Sequence, residues 1–169
     1  MKPLIKKING ITPKFGKDCY LSENTTIIGD VVCGDRCSFW FNSVIRGDVH
    51  FIKIGNEVNI QDGAIVHCTY KKSPTIIGNQ VTVGHNAIVH GCTIKDRVLI
   101  GMGAIVLDDC IIESDSIVAA GAVLKMGTQV KSGEIFAGVP AKKVKEGNFK
   151  KQLLALANKY IEYSKWYED

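Results

Sequence analysis

The sequence predicts an all-β solenoid, a parallel β-helix of hexapeptide repeats with a C-terminal α-helix, and three observations carry that expectation. An aliphatic residue recurs in a six-residue rhythm through Ile54, Ile60, Val66, Ile77, Val83, Val89, Ile94, Ile100, Val106, Ile112, Val118, Leu124 and Val130, and short hexapeptide periods mark a β-helix. Gly, Asn or Asp often follow it, as in Ile54-Gly55-Asn56-Glu57-Val58 and Ile77-Gly78-Asn79-Gln80-Val81. These types accept the positive φ that a corner is expected to need. Past Val130 the rhythm fades, and Phe149, Leu153, Leu156, Tyr160, Tyr163 and Tyr167 recur at three and four, the period of an amphipathic helix.

The elements follow in chain order. Residues 1–140 are expected to form the β-helix with its N-terminal lead-in, and residues 141–169 a helix packed on it by its apolar stripe. Three six-residue sides make a coil of about 18 residues, so the register can be counted. The step from Ile45 to Ile54 predicts about three extra residues near His50 to Lys53, and the step from Val66 to Ile77 about five near Tyr70 to Pro74. Ile45, Val66 and Val89 then begin one side of successive coils. Phe39, Ile60, Val83 and Ile100 begin another.

Composition narrows the function classes. The chain of 169 residues carries 21 Lys and Arg against 17 Asp and Glu, a mild excess collected near the two ends, which argues against a nucleic-acid binder. No apolar run approaches a membrane span, and the N-terminal segment lacks the apolar stretch of a signal peptide, so a cytoplasmic location is expected. The six cysteines, Cys19, Cys33, Cys37, Cys68, Cys92 and Cys110, are read as thiols, since a chain of this size builds a core without disulfides. Cys33, Cys37 and Cys110 fall where the repeat wants small or aliphatic inward side chains.

The counted register sorts the polar residues into columns. Arg46, His67 and His90 share the second position of their side, and Asp62 and His85 the third position of another. If both columns face outward, His67 and His90 stand one coil apart, near 5 Å, a spacing that suits two ligands on one metal ion. His85 lies on a different side, so a third ligand would come from a neighbouring copy, as closed threefold symmetry allows. Three neutral imidazoles with a fourth position open are the donor set of a catalytic zinc.

The stretches Val44-Ile45-Arg46-Gly47-Asp48, Asn59-Ile60-Gln61-Asp62-Gly63, Val83-Gly84-His85-Asn86-Ala87-Ile88-Val89-His90-Gly91, with His67 and Gly138-Val139-Pro140-Ala141-Lys142, resemble the γ-class carbonic anhydrases, specifically the short members without an acidic loop. The resemblance covers nearly the whole chain. It implies a left-handed β-helix assembled as a homotrimer, with metal sites between subunits built by His67 and His90 of one copy and His85 of the next. Zinc is the implied ion, with Fe2+ or Co2+ suited to the same ligands. The implied reaction is reversible hydration of CO2 to bicarbonate by a metal-bound hydroxide. Gln61 would orient that hydroxide and Asn59 would position CO2 or bicarbonate, while Arg46, Asp48 and Asp62 would form an ion-pair network at the trimer interface. One departure bears on rate. Val49 and the basic turn Tyr70-Lys71-Lys72-Ser73-Pro74 stand where active relatives place proton-shuttling glutamates, so slow or buffer-dependent turnover is expected.

Two other enzyme classes compete. A hexapeptide-repeat acyltransferase uses one His as general base with coenzyme A between subunits, which leaves the other two aligned histidines unexplained. A metal-dependent acyl-CoA thioesterase would use the same ligands. A non-catalytic trimeric scaffold suits the missing shuttle and is opposed by the complete ligand set.

Overall fold

Inward aliphatic side chains stack into three columns that run the length of a three-sided prism. Ile45, Val66, Val89, Val106 and Leu124 align from coil to coil, as do Ile54, Ile77, Ile94, Ile112 and Val130. Phe39, Ile60, Val83, Ile100 and Val118 form the third column. All of these are buried. At about 1.5–3 kcal/mol for each aliphatic side chain removed from water, this stack is the main source of stability. The computed structural model, a parallel β-solenoid with a C-terminal helix, describes residues 2–167.

The strands are short, most of them two or three residues, and pair in parallel with the coil above and below. Both irregular steps are present, but the first excess sits at Asp48–Phe51, between the pairs Gly29–Gly47 and Val31–Ile52, and not at His50–Lys53, because Ile52 and Lys53 keep their strand pairing. Val44–Ile54 runs on as one strand that bends from one side of the prism to the next, pairing Ile45 with Val66 and Ile54 with Ile77. The second excess is a turn closed by the bridge between Thr69 and Ser73.

The corners work differently from the sequence expectation. Gly55, Gly78, Gly84 and Gly101 do not carry the positive φ, which falls two residues later at Glu57 (59°), Gln80 (58°), Asn86 (57°) and Gly103 (66°). What Gly55 provides is room. A Cβ there would stand 2.7 Å from the backbone carbonyl of Gly78 in the next coil, closer than packed atoms tolerate.

The C-terminal region also departs from expectation. The helix occupies Lys150–Ser164 and does not begin near residue 141. Ala141–Glu146 instead turns back as an antiparallel strand on Glu134–Gly138, because the repeat offers no further parallel coil to pair with. The helix buries Leu153 and Ala157 and sets the Tyr160 ring edge-on to Trp40 at 5.6 Å. No helix among the described residues is long and apolar enough to cross a membrane.

Candidate metal centre

His67 and His90 end the strands Ile65–His67 and Ile88–His90, which pair in register so that the two histidines are direct neighbours. The inward Val66 and Val89 fix each strand, and alternation turns the following histidine outward. His67 Nδ1 lies 3.1 Å from His90 Nε2. Two nitrogens bound tetrahedrally to one ion at about 2.0–2.1 Å would stand about 3.3 Å apart.

The remaining nitrogen of each ring meets a carboxylate. His67 Nε2 is 3.0 Å from Asp48 Oδ1, and His90 Nδ1 is 2.5 Å from Asp108 Oδ1. With both carboxylates accepting from a ring N–H, the two facing nitrogens present lone pairs to each other, a repulsive arrangement that a cation between them resolves. A carboxylate behind a ligating imidazole is also what fixes the tautomer and ring orientation at metal sites. The donor set therefore fits a metal ion.

Electrostatics favour the same protonation states. Burial lowers the His67 pKa below the ordinary imidazole value, more than its bond to Asp48 restores it, which keeps the ring neutral, the form that ligates. Burial alone would raise Asp48 and Asp108. Hydrogen bonds outweigh it in both, from Arg46 and His67 for Asp48 and from Thr69 and His90 for Asp108, and hold them below the usual carboxylate value.

His85 stands apart from this pair, next to Thr82–Val83 on the prism side built with Asn59–Ile60 and Leu99–Ile100. Its side chain is 41% exposed, against 16% for His67, and its Nδ1 lies 2.8 Å from Asp62 Oδ2, leaving Nε2 for a further partner. Gln61 and Asn59 share this side. Both are buried, Gln61 donating to Asn59 Oδ1 at 3.0 Å and Asn59 donating to Thr82 Oγ1 at 2.9 Å. Gln61 and His85 line a groove of about 420 Å³ whose walls include Leu99, Met102, Ile117 and Tyr160.

One chain thus carries two half-sites on different sides of the prism. Of the residues expected to act together, His67, His90, Arg46 and Asp48 are gathered on one side, and His85, Asp62, Gln61 and Asn59 on the other. Arg46 pairs within the chain with Asp48, Nη1 to Oδ2 at 2.6 Å, while Asp62 meets His85.

Over 136 residues the chain is 42% identical to gamma carbonic anhydrase 2, mitochondrial, of Arabidopsis thaliana, an alignment covering 78% of this chain and 49% of that protein. Over 130 residues it is 40% identical to a Methanocaldococcus jannaschii protein named "Probable carbonic anhydrase", covering 77% of this chain and 81% of that one. The chain belongs to the gamma carbonic anhydrase family. It spans about half the length of the Arabidopsis relative. Residues 91–125 of this gamma carbonic anhydrase family member also match the family described as bacterial transferase hexapeptide (six repeats). A solved structure of a hexapeptide transferase family protein from Anaplasma phagocytophilum superposes with a TM-score of 0.93 at 38% identity over 99% of each chain.

Sequence reasoning missed Asp108 and Thr69 in this gamma carbonic anhydrase family member. Asp108 accepts from the Thr69 hydroxyl as well as from His90. A signal was present in Gly91. Asp109 N–H donates to Gly91 O, so Asp108 stands beside Gly91 one coil on, and a Cβ on Gly91 would collide with Asp108 Oδ1. The bare glycine is what lets the carboxylate reach back to His90.

Proposed function

We propose that the chain is a carbonic anhydrase-like enzyme that assembles as a homotrimer and hydrates CO2 reversibly to bicarbonate. His67 and His90 of one copy and His85 of the next would hold a divalent ion, zinc being the expected occupant, with Fe2+ or Co2+ compatible with the same ligands. The observation that carries this reading is the pair of imidazole nitrogens 3.1 Å apart, each ring backed by a carboxylate. When bound, such an ion supplies Lewis acidity that makes water nucleophilic near neutral pH.

The chain's own residues supply the rest. Because Gln61 spends its Nε2 on Asn59 and Asn59 spends its Nδ2 on Thr82, both amides are locked in orientation. Gln61 Oε1 is left as an acceptor toward the groove it shares with His85. It accepts a hydrogen bond from the attacking water and turns a lone pair toward the carbon of CO2. The apolar walls from Leu99 and Met102 suit an uncharged linear substrate. Asp48 and Asp108 hold the two imidazoles in the ligating tautomer. The proton released has no carboxylate at Val49 to receive it, and the nearby turn carries Lys71 and Lys72. Buffer is the expected acceptor, so turnover rises with buffer concentration.

Stopped-flow CO2 hydration on zinc-loaded, anaerobic iron(II)-loaded and chelator-stripped protein tests this reading. Metal-dependent hydration that scales with buffer supports it. Inactivity in every form that retains metal overturns it in favour of a second reading, acyl transfer or acyl-thioester hydrolysis. The groove of about 420 Å³ beside His85, with apolar walls from Leu99, Ile117 and Leu156, favours that alternative.

A further inference from the structure

Three thiols converge at one corner of the solenoid's first coils, away from the histidine columns. Cys33 ends the strand Thr26–Cys33, Cys37 directly precedes Ser38–Phe39 on the far side of the same corner, and Cys19 lies one coil below Cys37. Their sulfur atoms all lie within 4.8 Å of one another, with Cys19 Sγ 4.0 Å from Cys33 Sγ. Three sulfurs bound to one ion at about 2.3 Å stand about 3.8–4.0 Å apart in tetrahedral or trigonal geometry. The cluster is within small side-chain rotations of that arrangement.

Packing alone does not call for thiols here. In the coils above, the Cys33 position is held by Ile54, Ile77, Ile94 and Ile112. The Cys37 position is held by Val58, Val81 and Val98, residues that each directly precede a strand aligned with Ser38–Phe39. All are buried. Buried thiols also occur higher in the core, at Cys68, Cys92 and Cys110, but in these two columns sulfur replaces the aliphatic side chain at the N-terminal end, where Cys19 brings a third thiol from the coil below. Cys33 and Cys37 are buried while Cys19 is partly exposed, which leaves an approach from solvent on the Cys19 side.

We propose that Cys19, Cys33 and Cys37 form a second metal site, for a thiophilic ion such as zinc(II) or copper(I), that fastens the N-terminal lead-in onto the first complete coil. Soft thiolate ligands select such ions. The ends of a solenoid, which lack a neighbouring coil on one side, are where a fastening is needed. Binding displaces the thiol protons to solvent as the sulfurs become ligands, including those that Cys19 and Cys37 now donate to the backbone oxygens of Gly34 and Gly55.

Anaerobic titration of the reduced, chelator-stripped full chain with cobalt(II) tests the site, because a thiolate-to-cobalt charge-transfer band in the near ultraviolet reports sulfur ligands and not imidazoles. The expected result is a band that saturates at one equivalent per chain, is lost in Cys19→Ser and survives in Cys110→Ser. The double variant Cys33→Ile with Cys37→Val copies the coils above, so it folds, and it is expected to lose the band while keeping the histidine-bound metal. Absence of the band in the wild-type chain, its persistence in Cys19→Ser, or its loss in Cys110→Ser overturns the proposal.

Discussion

Replacing Asp108 by Asn is expected to weaken metal binding about tenfold without unfolding the chain. Asp108 makes two bonds of different kinds, accepting from His90 Nδ1 at 2.5 Å and from the Thr69 hydroxyl, with only 10% of its side chain exposed. An asparagine of the same shape still offers an oxygen to His90 and lets Thr69 accept from its amide, so ring orientation survives and only the charge behind the imidazole is lost. Asp108→Ala removes orientation as well. Partners of ligating histidines typically contribute 10–100-fold in affinity, which is about 1.4–2.8 kcal/mol at about 1.4 kcal/mol per decade. The amide variant belongs at the lower end and the alanine variant at the upper. Gly91→Ala reaches the same loss independently, since its methyl would occupy the place of Asp108 Oδ1. Competition with a chromophoric chelator reads the affinity, and thermal unfolding of the metal-free proteins separates a general loss of fold. Wild-type affinity in both Asp108 variants, with both folded, would refute the assignment of the facing histidine pair as ligands.

His85→Ala, made in the Cys33→Ile with Cys37→Val background so that only the histidine site is read, is expected to abolish stoichiometric metal binding while light scattering still finds a trimer; a full metal complement at the histidine site would remove His85 from the ligand set. Arg46→Ala is expected to shift assembly toward monomer at low protein concentration, and an unchanged mass under dilution would give Arg46 another role. Glu57 is held below the usual carboxylate value, first by the hydrogen bond from Arg36 and then by that from Gln80. A carboxyl with a lowered folded pKa contributes stability that is present above its unfolded value, about 4.3, and is lost as pH falls through the folded one. Glu57→Gln is therefore expected to flatten the loss of stability below about pH 4.3 seen by urea unfolding, and an unchanged acid limb would contradict it.

Much of the architecture was legible because a prism with aliphatic corners leaves a period that can be counted. The count aligned His67 with His90 and set His85 on another side, and the strand pairing has the same register. It failed where geometry overrides spacing. Asp108 is not such a case: it follows His90 by 18 residues, one nominal coil, so the spacing offered the contact even though the shorter step from Val89 to Val106 sets the carboxylate opposite Gly91. The repeat pattern assigns positive φ to its glycines, whereas Gly55 is needed for close approach and Glu57 takes the strained backbone. Ala141–Glu146 falls inside the helical region the sequence predicts because a strand returning antiparallel on the last coil has no hexapeptide signature. The thiol cluster was hidden because Cys19 precedes the first countable coil.

The division of the candidate site between two sides of the prism makes assembly and metal binding a single equilibrium in the proposed trimer. Stacked coils fix the spacing of His67 and His90 rigidly, but no internal movement of a solenoid brings His85 round to join them. If one ion takes ligands from two copies, metal strengthens each interface by as much as assembly strengthens each metal site, because coupling is reciprocal. Such couplings are typically about 1–3 kcal/mol, or 5–150-fold, per site. Chelator-stripped protein is thus expected to dissociate at a higher concentration than the loaded form. Correspondingly, metal affinity should fall on dilution through the assembly midpoint. Sedimentation velocity across a dilution series, with and without chelator, measures the first effect, and equilibrium dialysis at two protein concentrations measures the second. Identical dissociation curves would mean that each ion is held by one chain alone, and the shared-site reading would fail even if the chain binds metal tightly.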